Sequence, residues 1–288
     1  MKLPQEGHPP SADTWFTEYH SPNSGISLKV KRPLFSGESA FQKVEVFESK
    51  DFGNVLVLGG AIQTTERDEF IYHEMLTHVP LCAHPGPRRV LIVGGGDGGC
   101  VREALRHPGV EEVTLVEIDQ MVIDCAQKFF PGISSGLNDP RVRVVVRDGV
   151  KFVRGRRRAF DVIIVDSTDP VAMASPLSRT SFFRAAKESL RPGGLYAAQA
   201  QGPVFEGRNM ARFARAIREV FPQTDFYLAG IPTYPGGVWG FALSARGRKR
   251  PSALSPRPLP RGVPMRFYSR EIHRAAFVLP PYIRDILG

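Results

Sequence analysis

The sequence predicts an α/β protein in which a doubly wound, mainly parallel sheet follows a small N-terminal antiparallel β domain. Two patterns carry this prediction. Residues 26–65 contain short alternating or β-branched runs separated by turn signals, whereas strand-like and helix-like segments alternate from residue 89 onward. In addition, glycines and acidic residues follow the strand-like segments of the second part, where ligands bind in sheets of this kind.

The first part of the chain is predicted to be an irregular segment followed by a small sheet. Residues 1–23 are polar and rich in proline, and we expect about the first 20 residues to be irregular. Turn signals SGES and KDFGN then separate strand-like runs, which are ISLKVK, FQKVEVFES, NVLVLGG and IQTTE. We therefore expect an N-terminal β domain over residues 1–67.

A helix is predicted to link this domain to the next. DEFIYHEMLTHVPLCA, residues 68–83, has apolar residues at helical spacing, and Asp68 stands near its N-terminus, where acids are favoured. The strand-like segments that follow are RVLIVGGG, EVTLVEID, RVRVVVRD, FDVIIVDS, GGLYAAQAQ and DFYLAGIP. Alternating with them as helices are GCVREALRH, QMVIDCAQKFF, TSFFRAAKESL and NMARFARAIREVF. Residues 68–288 are therefore expected to form one doubly wound domain.

Composition narrows the compartment and the class of protein. The chain has 288 residues, a hydrophobic fraction of 42% and a formal net charge of +9. No apolar run is long enough for a signal peptide or a membrane span, so a cytoplasmic protein is expected. Cys82, Cys100 and Cys125 lack paired spacing, which disfavours a disulfide framework and a zinc site.

Much of the positive charge lies in two segments. Residues 246–262 hold six basic residues and four prolines without an acid, and RGRRR occupies residues 154–158. The first segment has no aromatic residue for base stacking, so we expect a surface loop and no nucleic-acid partner. We also expect both basic segments to lie away from any acidic site.

Glycines and acidic residues follow four successive strand-like segments. GGGDGG follows the first, Glu117 the second, Asp148 the third, and Asp166 and Asp169 the fourth. Glycines let a ligand approach closely, and Glu117 lies 21 residues beyond Gly96, near the offset at which an acid binds a ribose. The pattern therefore indicates a nucleoside site.

Asp97, inside the glycine loop, narrows the ligand further. A pyrophosphate at the next helix N-terminus would be repelled by this carboxylate, and the loop lacks the lysine of a phosphate-binding loop. A cationic nucleoside such as a sulfonium is favoured instead. Asp97 and Asp166 together disfavour the α-carboxylate of ordinary S-adenosylmethionine, so a sulfonium nucleoside that ends in a bare amine fits better.

A metal site is not expected. In YHEMLTH, His73 and His78 are five residues apart, whereas two zinc-binding histidines on one helical face need a spacing of four. At about 100° per residue, these two side chains diverge by roughly 140°.

Seven motifs together resemble the spermidine synthases, a family of polyamine aminopropyltransferases. They are GNVLVL, IQTTERDEFIYHEM, VLIVGGGDGG, VEID, DVIIVDSTDP, IPTYPGG and HRAAFVLP. The resemblance implies a β domain followed by a Rossmann-like, methyltransferase-type catalytic domain, and a homodimer or homotetramer. It implies aminopropyl transfer from decarboxylated S-adenosylmethionine, as cosubstrate, to the small-molecule amine putrescine. The products would be spermidine and 5′-methylthioadenosine, and no prosthetic group is implied.

The resemblance also implies roles for individual residues. Nucleoside contacts are implied for Gln42, Gln63, Gly94, Gly96, Glu117, Asp148 and Gly149. Asp97 is implied to hold the aminopropyl amine, and Asp166, with Tyr72 beside it, to take the proton from the attacking amine. Acceptor contacts are implied for Trp15, His73, Asp97, Asp166, Asp169, Gln199 and Tyr234.

Alternatives stay open for several of these residues. Asp148 also fits a helix N-cap, Asp169 before a proline fits a turn, and Trp15 and the tyrosines fit ordinary packing. The sequence AQAQGPVF leaves open whether Gln199 or Gln201 faces the site.

Alternatives also stay open for the function. VAMASPLS, residues 171–178, departs from the loop usual in the family, so cadaverine, agmatine and spermidine remain possible acceptors. The rival functions are an S-adenosylmethionine-dependent methyltransferase and a nucleoside- or nucleic-acid-binding protein without catalysis.

Overall fold

Two sheets form the framework of the protein. A computed structural model describes residues 14–167, 175–247, 249–259, 262 and 264–288. Within these ranges, a five-stranded sheet is followed by a seven-stranded sheet with helices on both faces. The predicted fold class is therefore confirmed, while the expected domain boundary after residue 67 stays a prediction.

The first sheet is antiparallel, with its strands in sequence order. The strands are β1 (Trp15–Ser21), β2 (Ser24–Glu38), β3 (Lys43–Ser49), β4 (Asn54–Leu58) and β5 (Ala61–Thr65). The prediction that about the first 20 residues are irregular is wrong for β1, which pairs with β2 across a turn between Ser21 and Ser24. WFTEYHS does not alternate buried apolar with exposed polar residues, because its buried residue is Glu18 while Trp15 and Tyr19 are exposed.

The second sheet has the order β11-β12-β10-β9-β6-β7-β8. Its strands are β6 (Arg89–Gly94), β7 (Glu112–Glu117), β8 (Val142–Val146), β9 (Phe160–Asp166), β10 (Leu190–Gln201), β11 (Thr224–Gly230) and β12 (Val238–Ala245). Strands β6 to β10 are parallel, whereas β12 runs antiparallel to both β10 and β11. The sequence prediction missed β12, because it follows β11 through a short turn and breaks the alternation of strands with helices.

Eight α-helices are described. They are α1 (Glu69–Ala83), α2 (Gly99–Leu105), α3 (Gln120–Phe129), α4 (Gly149–Val153), α5 (Thr180–Ser189), α6 (Gly207–Val220), α7 (Arg270–Ala276) and α8 (Pro281–Leu287). The linking helix α1 is confirmed, whereas α4, α7 and α8 were not predicted, since five to seven residues span too few turns to show a helical period. No helix in the described ranges is long and apolar enough to span a membrane.

The apolar core lies on both faces of the seven-stranded sheet. Alternate residues of β6 point to opposite sides, so that Val90 and Ile92 pack with α1 and α2, and Leu91 and Val93 pack with α5 and α6. Both faces are covered, so the carboxyl edge of the parallel strands is where a ligand can reach the sheet.

Asp68 joins the two sheets at the start of α1. It occupies the N-cap position, but its carboxylate makes no capping bond. Its Oδ1 accepts a hydrogen bond from Thr65 Oγ1 at 2.6 Å, and its Oδ2 accepts from the backbone N and Oγ1 of Thr233 at 3.0 and 2.8 Å. These bonds fix the loop after β11, which carries Tyr234, against the end of β5.

We expect Asp68→Ala to lower the free energy of unfolding by about 2–4 kcal/mol, because three hydrogen bonds to a buried carboxylate are lost together. Urea denaturation followed by circular dichroism measures the change. The matched control is Asp124→Ala on the exposed face of α3, which should change stability by less than about 0.5 kcal/mol. Equal stability of the two variants would contradict this role for Asp68.

Candidate active site

A cavity of about 560 Å³ lies between the five-stranded sheet and the carboxyl edge of the parallel strands. Strand ends and the glycine loop form one wall, and residues of β1, β4 and β5 form the opposite wall. The predicted site residues that line it are Gln42, Gln63, Tyr72, His73, Gly94, Gly96, Asp97, Glu117, Asp148, Gly149, Asp166, Gln199 and Tyr234. The fold thus brings together residues that are up to 192 positions apart in the sequence.

The glycine loop lets two acidic residues approach the turn after β6. Gly94 has a φ of +80°, and a Cβ at this position would lie 2.0 Å from the carbonyl oxygen of Asp166. A Cβ at Gly96 would lie 2.9 Å from Cγ of Glu117. Side chains at either position would therefore push strand ends apart, which explains the need for glycine.

Glu117 is held at the end of β7 by backbone amides. Its Oε1 accepts hydrogen bonds from Ile118 N and Asp119 N at 2.6 and 2.9 Å, and its Oε2 accepts from Gly96 N at 3.2 Å. Burial nevertheless raises the pKa of Glu117 to about 7. This carboxylate is oriented to accept hydrogen bonds from a diol, and it titrates near neutral pH.

Asp148 is both a helix cap and a lining residue. Its Oδ1 accepts hydrogen bonds from Val150 N and Lys151 N at 2.8 and 3.2 Å, which begins α4. A Cβ at Gly149 would lie 2.4 Å from Val93 Cγ1, so this glycine lets α4 lie directly on β6. The N-cap alternative is therefore confirmed for Asp148, and its place in the cavity wall leaves a nucleoside contact compatible with it.

Asp97 is almost fully buried and accepts three hydrogen bonds. Gly99 N donates to its Oδ1 at 2.9 Å, while Thr64 Oγ1 and His73 Nε2 donate to its Oδ2 at 2.6 and 3.2 Å. Burial alone would raise the pKa of Asp97, but the charged ring of His73 and these hydrogen bonds lower it far below its usual value. A carboxylate offers about four lone-pair sites, so one site on Oδ1 remains for a ligand.

His73 lies between two carboxylates. Its Nδ1 contacts Glu69 Oε2 at 2.6 Å, opposite the contact of Nε2 with Asp97. Burial alone would lower the pKa of His73, but these two carboxylates raise it well above its usual value, which favours the imidazolium form. His73, Cys100 and Asp166 bring potential metal ligands within 4.8 Å of one another, yet both nitrogens of His73 are already engaged as donors.

Asp166 has a different environment from Asp97. It lies at the end of β9, and its Oδ1 accepts a hydrogen bond from Tyr72 OH at 2.7 Å. Burial and the negative charge of Asp97 raise the pKa of Asp166. Its buried Oδ2 has no nitrogen or oxygen donor among the described residues. One oxygen is therefore positioned by Tyr72, and the other is available to take a proton.

Aromatic and amide side chains complete the wall next to Asp166. The ring of Tyr234 lies 5.6 Å from that of Tyr72, and Tyr234 OH donates a hydrogen bond to the carbonyl oxygen of Gln63 at 2.8 Å. Gln199 donates to Ser167 O at 3.2 Å and accepts from Gln201 N at 2.9 Å. Gln199 lines this cavity, whereas Gln201 does not, which answers the open question of register.

Two predicted residues do not join the others. Trp15 is 55% exposed on β1, with Lys29 above its ring, and it is not part of the cavity wall. Asp169 lies outside the described residues, as do residues 171–174 of the divergent segment. The predicted acceptor contacts of Trp15 and Asp169 stay untested.

Several residues of the cavity wall were not predicted from the sequence. Glu18 of β1 is buried, and its Oε2 accepts a hydrogen bond from Ile62 N at 2.7 Å. Thr64 holds Asp97. The cavity wall also includes Lys151 and Arg154, because the N-terminal cap of α4, Asp148, lies in the same wall. The expectation that both basic segments lie away from the acidic site is therefore wrong for Arg154.

Comparisons with known proteins agree with this geometry. The Spermine/spermidine synthase domain matches residues 69–250, and the Spermidine synthase tetramerisation domain matches residues 14–66. The chain is 44% identical over 274 residues to the polyamine aminopropyltransferase of Thermoanaerobacter pseudethanolicus. The aligned residues cover 95% of this chain and 98% of that protein.

Two solved structures are similar over almost their whole length. A spermidine synthase in complex with the transition-state analogue AdoDATO superposes with a TM-score of 0.93 and 38% identity, covering 99% of this chain and 98% of that one. The spermidine synthase from Thermotoga maritima superposes with a TM-score of 0.89 and 37% identity, and the match again covers 99% of this chain and 98% of that one.

We expect Gly94→Ala to lower the free energy of unfolding by about 2–5 kcal/mol, because a positive φ and an overlap with Asp166 O act together. Gly59→Ala is the control, since Gly59 has a φ of +57° but nothing within 4 Å of its added Cβ. It should cost only about 1–2 kcal/mol. Equal denaturation midpoints for the two variants would contradict the close approach of the glycine loop to β9.

Proposed function

The chain belongs to the spermidine synthase family, and we propose that it transfers an aminopropyl group from decarboxylated S-adenosylmethionine to putrescine. The products are spermidine and 5′-methylthioadenosine. The observation that carries this proposal is the pair Asp97 and Asp166 at one end of a cavity for a nucleoside. One acid is kept ionised and the other has a raised pKa, so they suit different tasks.

The nucleoside end of the cavity supports adenosine binding. Glu117 accepts hydrogen bonds from the ribose hydroxyls, as its orientation by Gly96 N and Ile118 N allows. Asp148 and Gly149 contact the adenine, and Gln42 and Gln63 approach from the five-stranded sheet. The acidic residue of the glycine loop, Asp97, would repel a pyrophosphate, so the proposed nucleoside carries none.

Asp97 binds the ammonium group of the aminopropyl chain through the open site on its Oδ1. Charge-assisted hydrogen bonds of this kind are about twice as strong as neutral ones, particularly where water is excluded. Ordinary S-adenosylmethionine would bring a carboxylate next to Asp97 and Asp166. The repulsion favours the decarboxylated donor, and it argues against the methyltransferase alternative.

Asp166 acts as the general base. The neutral amine nitrogen of the acceptor attacks the aminopropyl carbon that is bonded to sulfur. The C–N bond forms while the C–S bond breaks, and the electron pair of the C–S bond passes to sulfur. The attacking nitrogen gives a proton to Asp166 Oδ2 as the C–N bond forms, while Tyr72 holds the other oxygen. A raised pKa makes this carboxylate a better base than an exposed aspartate.

The wall beyond Asp166 supports a diamine as acceptor. Glu18 offers a further carboxylate from β1 for the second ammonium group, and Gln199 and Tyr234 border the same space. We assign His73 to fixing the acids next to the reacting carbon, and Asp169 to the acceptor side. Trp15 is not assigned to the acceptor, because it is exposed outside the cavity.

We also propose that the chain forms a homodimer or homotetramer. The match of residues 14–66 to a tetramerisation domain supports an oligomer, and Trp15 and Tyr19 offer exposed apolar surface on β1 for a subunit contact. The cytoplasmic location and the absence of a nucleic-acid partner stay predictions from the sequence.

The direct test offers decarboxylated and ordinary S-adenosylmethionine to the enzyme, each with putrescine, cadaverine, agmatine and spermidine, and identifies products by mass spectrometry. We expect spermidine from putrescine with the decarboxylated donor only. Methyl transfer from the ordinary donor would contradict the proposal, and faster turnover of another amine would replace putrescine as the acceptor.

We expect Asp166→Asn to lower kcat by about 10²–10⁴-fold, because the amide cannot accept the proton. Binding of 5′-methylthioadenosine, measured by calorimetry, should change by less than about twofold, since Asp166 lies beyond the nucleoside. Asp124→Asn on the surface is the control. Turnover within about threefold of the wild type would remove Asp166 from the mechanism.

We expect the affinity for 5′-methylthioadenosine to rise as the pH increases through about 7, the pKa of Glu117. Ribose hydroxyls donate to the ionised carboxylate, so below this pKa the binding must also remove a proton and weakens by up to about tenfold per pH unit. Calorimetry between roughly pH 6 and pH 8 measures the slope. Glu117→Gln should bind weakly at every pH, and a flat profile for the wild type would contradict the assignment.

A further inference from the structure

A line of buried charged side chains runs from Asp97 into the contact between α1 and α2. Asp97 contacts His73, and His73 contacts Glu69 on the preceding turn of α1. Arg102 of α2 then binds both oxygens of Glu69, with its Nη1 at 3.0 Å from Oε1 and its Nη2 at 2.8 Å from Oε2. Neither Glu69 nor Arg102 lines the cavity, so their link to the chemistry is indirect.

His73 and Arg102 both favour the ionised form of Glu69. Burial alone would raise the pKa of Glu69, but His73 and Arg102 together lower it below its usual value. The two parallel N–H···O bonds match the fork geometry that guanidinium groups form with carboxylates. Arg102 Nε also donates to Glu103 Oε1 at 2.8 Å, which fixes the guanidinium plane.

Glu69 in turn determines which protons His73 carries. With Nδ1 at 2.6 Å from one carboxylate and Nε2 at 3.2 Å from another, only the doubly protonated ring donates to both. A neutral ring that kept its proton on Nδ1 would turn a lone pair of Nε2 toward a lone pair of Asp97. The backbone of Gly99 holds the ring in place, since a Cβ there would lie 2.3 Å from His73 Cε1.

We propose that Glu69 and Arg102 are positioning residues for the ammonium group of the aminopropyl donor. They hold His73 as a donor on both nitrogens, and His73 then fixes Asp97 with a single open oxygen site toward the cavity. This inference rests on the proposed function, because it assigns the binding of the donor to Asp97.

Other charged or titratable groups face His73 as well. Asp166 of β9 adds negative charge, Cys100 of α2 lies beside both residues, and the ring of Tyr72 meets that of His73 edge-on at 5.4 Å. Among the described residues, Glu69 is the hydrogen-bond partner of Nδ1. Replacing Glu69 therefore removes that partner and one of the carboxylates next to His73.

A purely structural role makes a different prediction. If Glu69 and Arg102 only joined α1 to α2, their replacement would lower stability and weaken every ligand of the cavity alike. If they position Asp97, replacement weakens a ligand that carries the ammonium group and spares 5′-methylthioadenosine, which lacks it.

The test compares wild type, Glu69→Gln, Arg102→Lys and the control Glu111→Gln, which alters an exposed ion pair with Arg88. Calorimetry measures the Kd of decarboxylated S-adenosylmethionine and of 5′-methylthioadenosine. In Glu69→Gln we expect the affinity for decarboxylated S-adenosylmethionine to weaken about tenfold or more. The affinity for 5′-methylthioadenosine should change by less than about twofold. Arg102→Lys keeps the positive charge but cannot form the two parallel hydrogen bonds of the guanidinium group, so its affinity for the decarboxylated donor should lie between those of wild type and Glu69→Gln.

The second readout is the protonation of His73 in the ligand-free protein. Nitrogen-15 NMR, assigned by the signal lost in His73→Gln, follows the ring with pH. We expect the ring in the wild type to stay charged well above the pH at which an ordinary histidine loses its proton. We expect a lower pKa in Glu69→Gln, since one of the two carboxylates that raise it is removed. Donor binding by that variant should therefore weaken further as the pH rises through the lowered pKa.

Equal weakening of both ligands in Glu69→Gln, or a neutral His73 in the wild type near pH 7, would overturn the inference. Failure of the proposed function looks different. The wild type would then bind 5′-methylthioadenosine but not the decarboxylated donor, while the NMR titration would still decide the charge of His73.

Discussion

The site depends on one buried carboxylate, that of Asp97, whose charge is stabilised by three hydrogen bonds. A buried charge is costly unless it is paired and hydrogen-bonded. Three elements supply the partners: Thr64 from β5, His73 from α1 and the amide of Gly99 at the start of α2. Both sheets and the linking helix must therefore meet at one point. Asp68 adds to this contact by bonding Thr65, the residue after Thr64, and Thr233 in the loop after β11.

The two acids at this point differ because their partners differ. Asp97 receives hydrogen bonds on both oxygens and faces a cation, so its pKa falls. Asp166 is buried next to the charge of Asp97, and these two effects outweigh the charge of His73 and the hydrogen bonds from Tyr72 and Cys100, so its pKa rises. These opposite shifts suit the two proposed roles, an anion that binds the donor and a base that takes a proton, and the charge of Asp97 favours the second role for Asp166.

Sequence patterns predicted the parallel strands and the acids at their ends, because a strand of β-branched residues and the residue after it are local features. They did not predict β1, β12 or the partners of Asp97, which depend on contacts between distant segments. Glu18 occupies the buried position of a strand, where alternation alone suggests an apolar residue. Thr64 belongs to a quoted motif, but its bond to Asp97 exists only once the sheets meet. The acceptor contact of Trp15 was implied by the family resemblance alone, and Trp15 lies outside the cavity.

Calorimetry of wild type and Asp97→Asn with decarboxylated and ordinary S-adenosylmethionine would show whether Asp97 selects the donor. We expect the wild type to bind the decarboxylated donor at least about tenfold more tightly than the ordinary one. We expect Asp97→Asn to lose most of this preference while it still binds 5′-methylthioadenosine. An unchanged preference in Asp97→Asn would mean that the selection of the donor does not depend on this carboxylate.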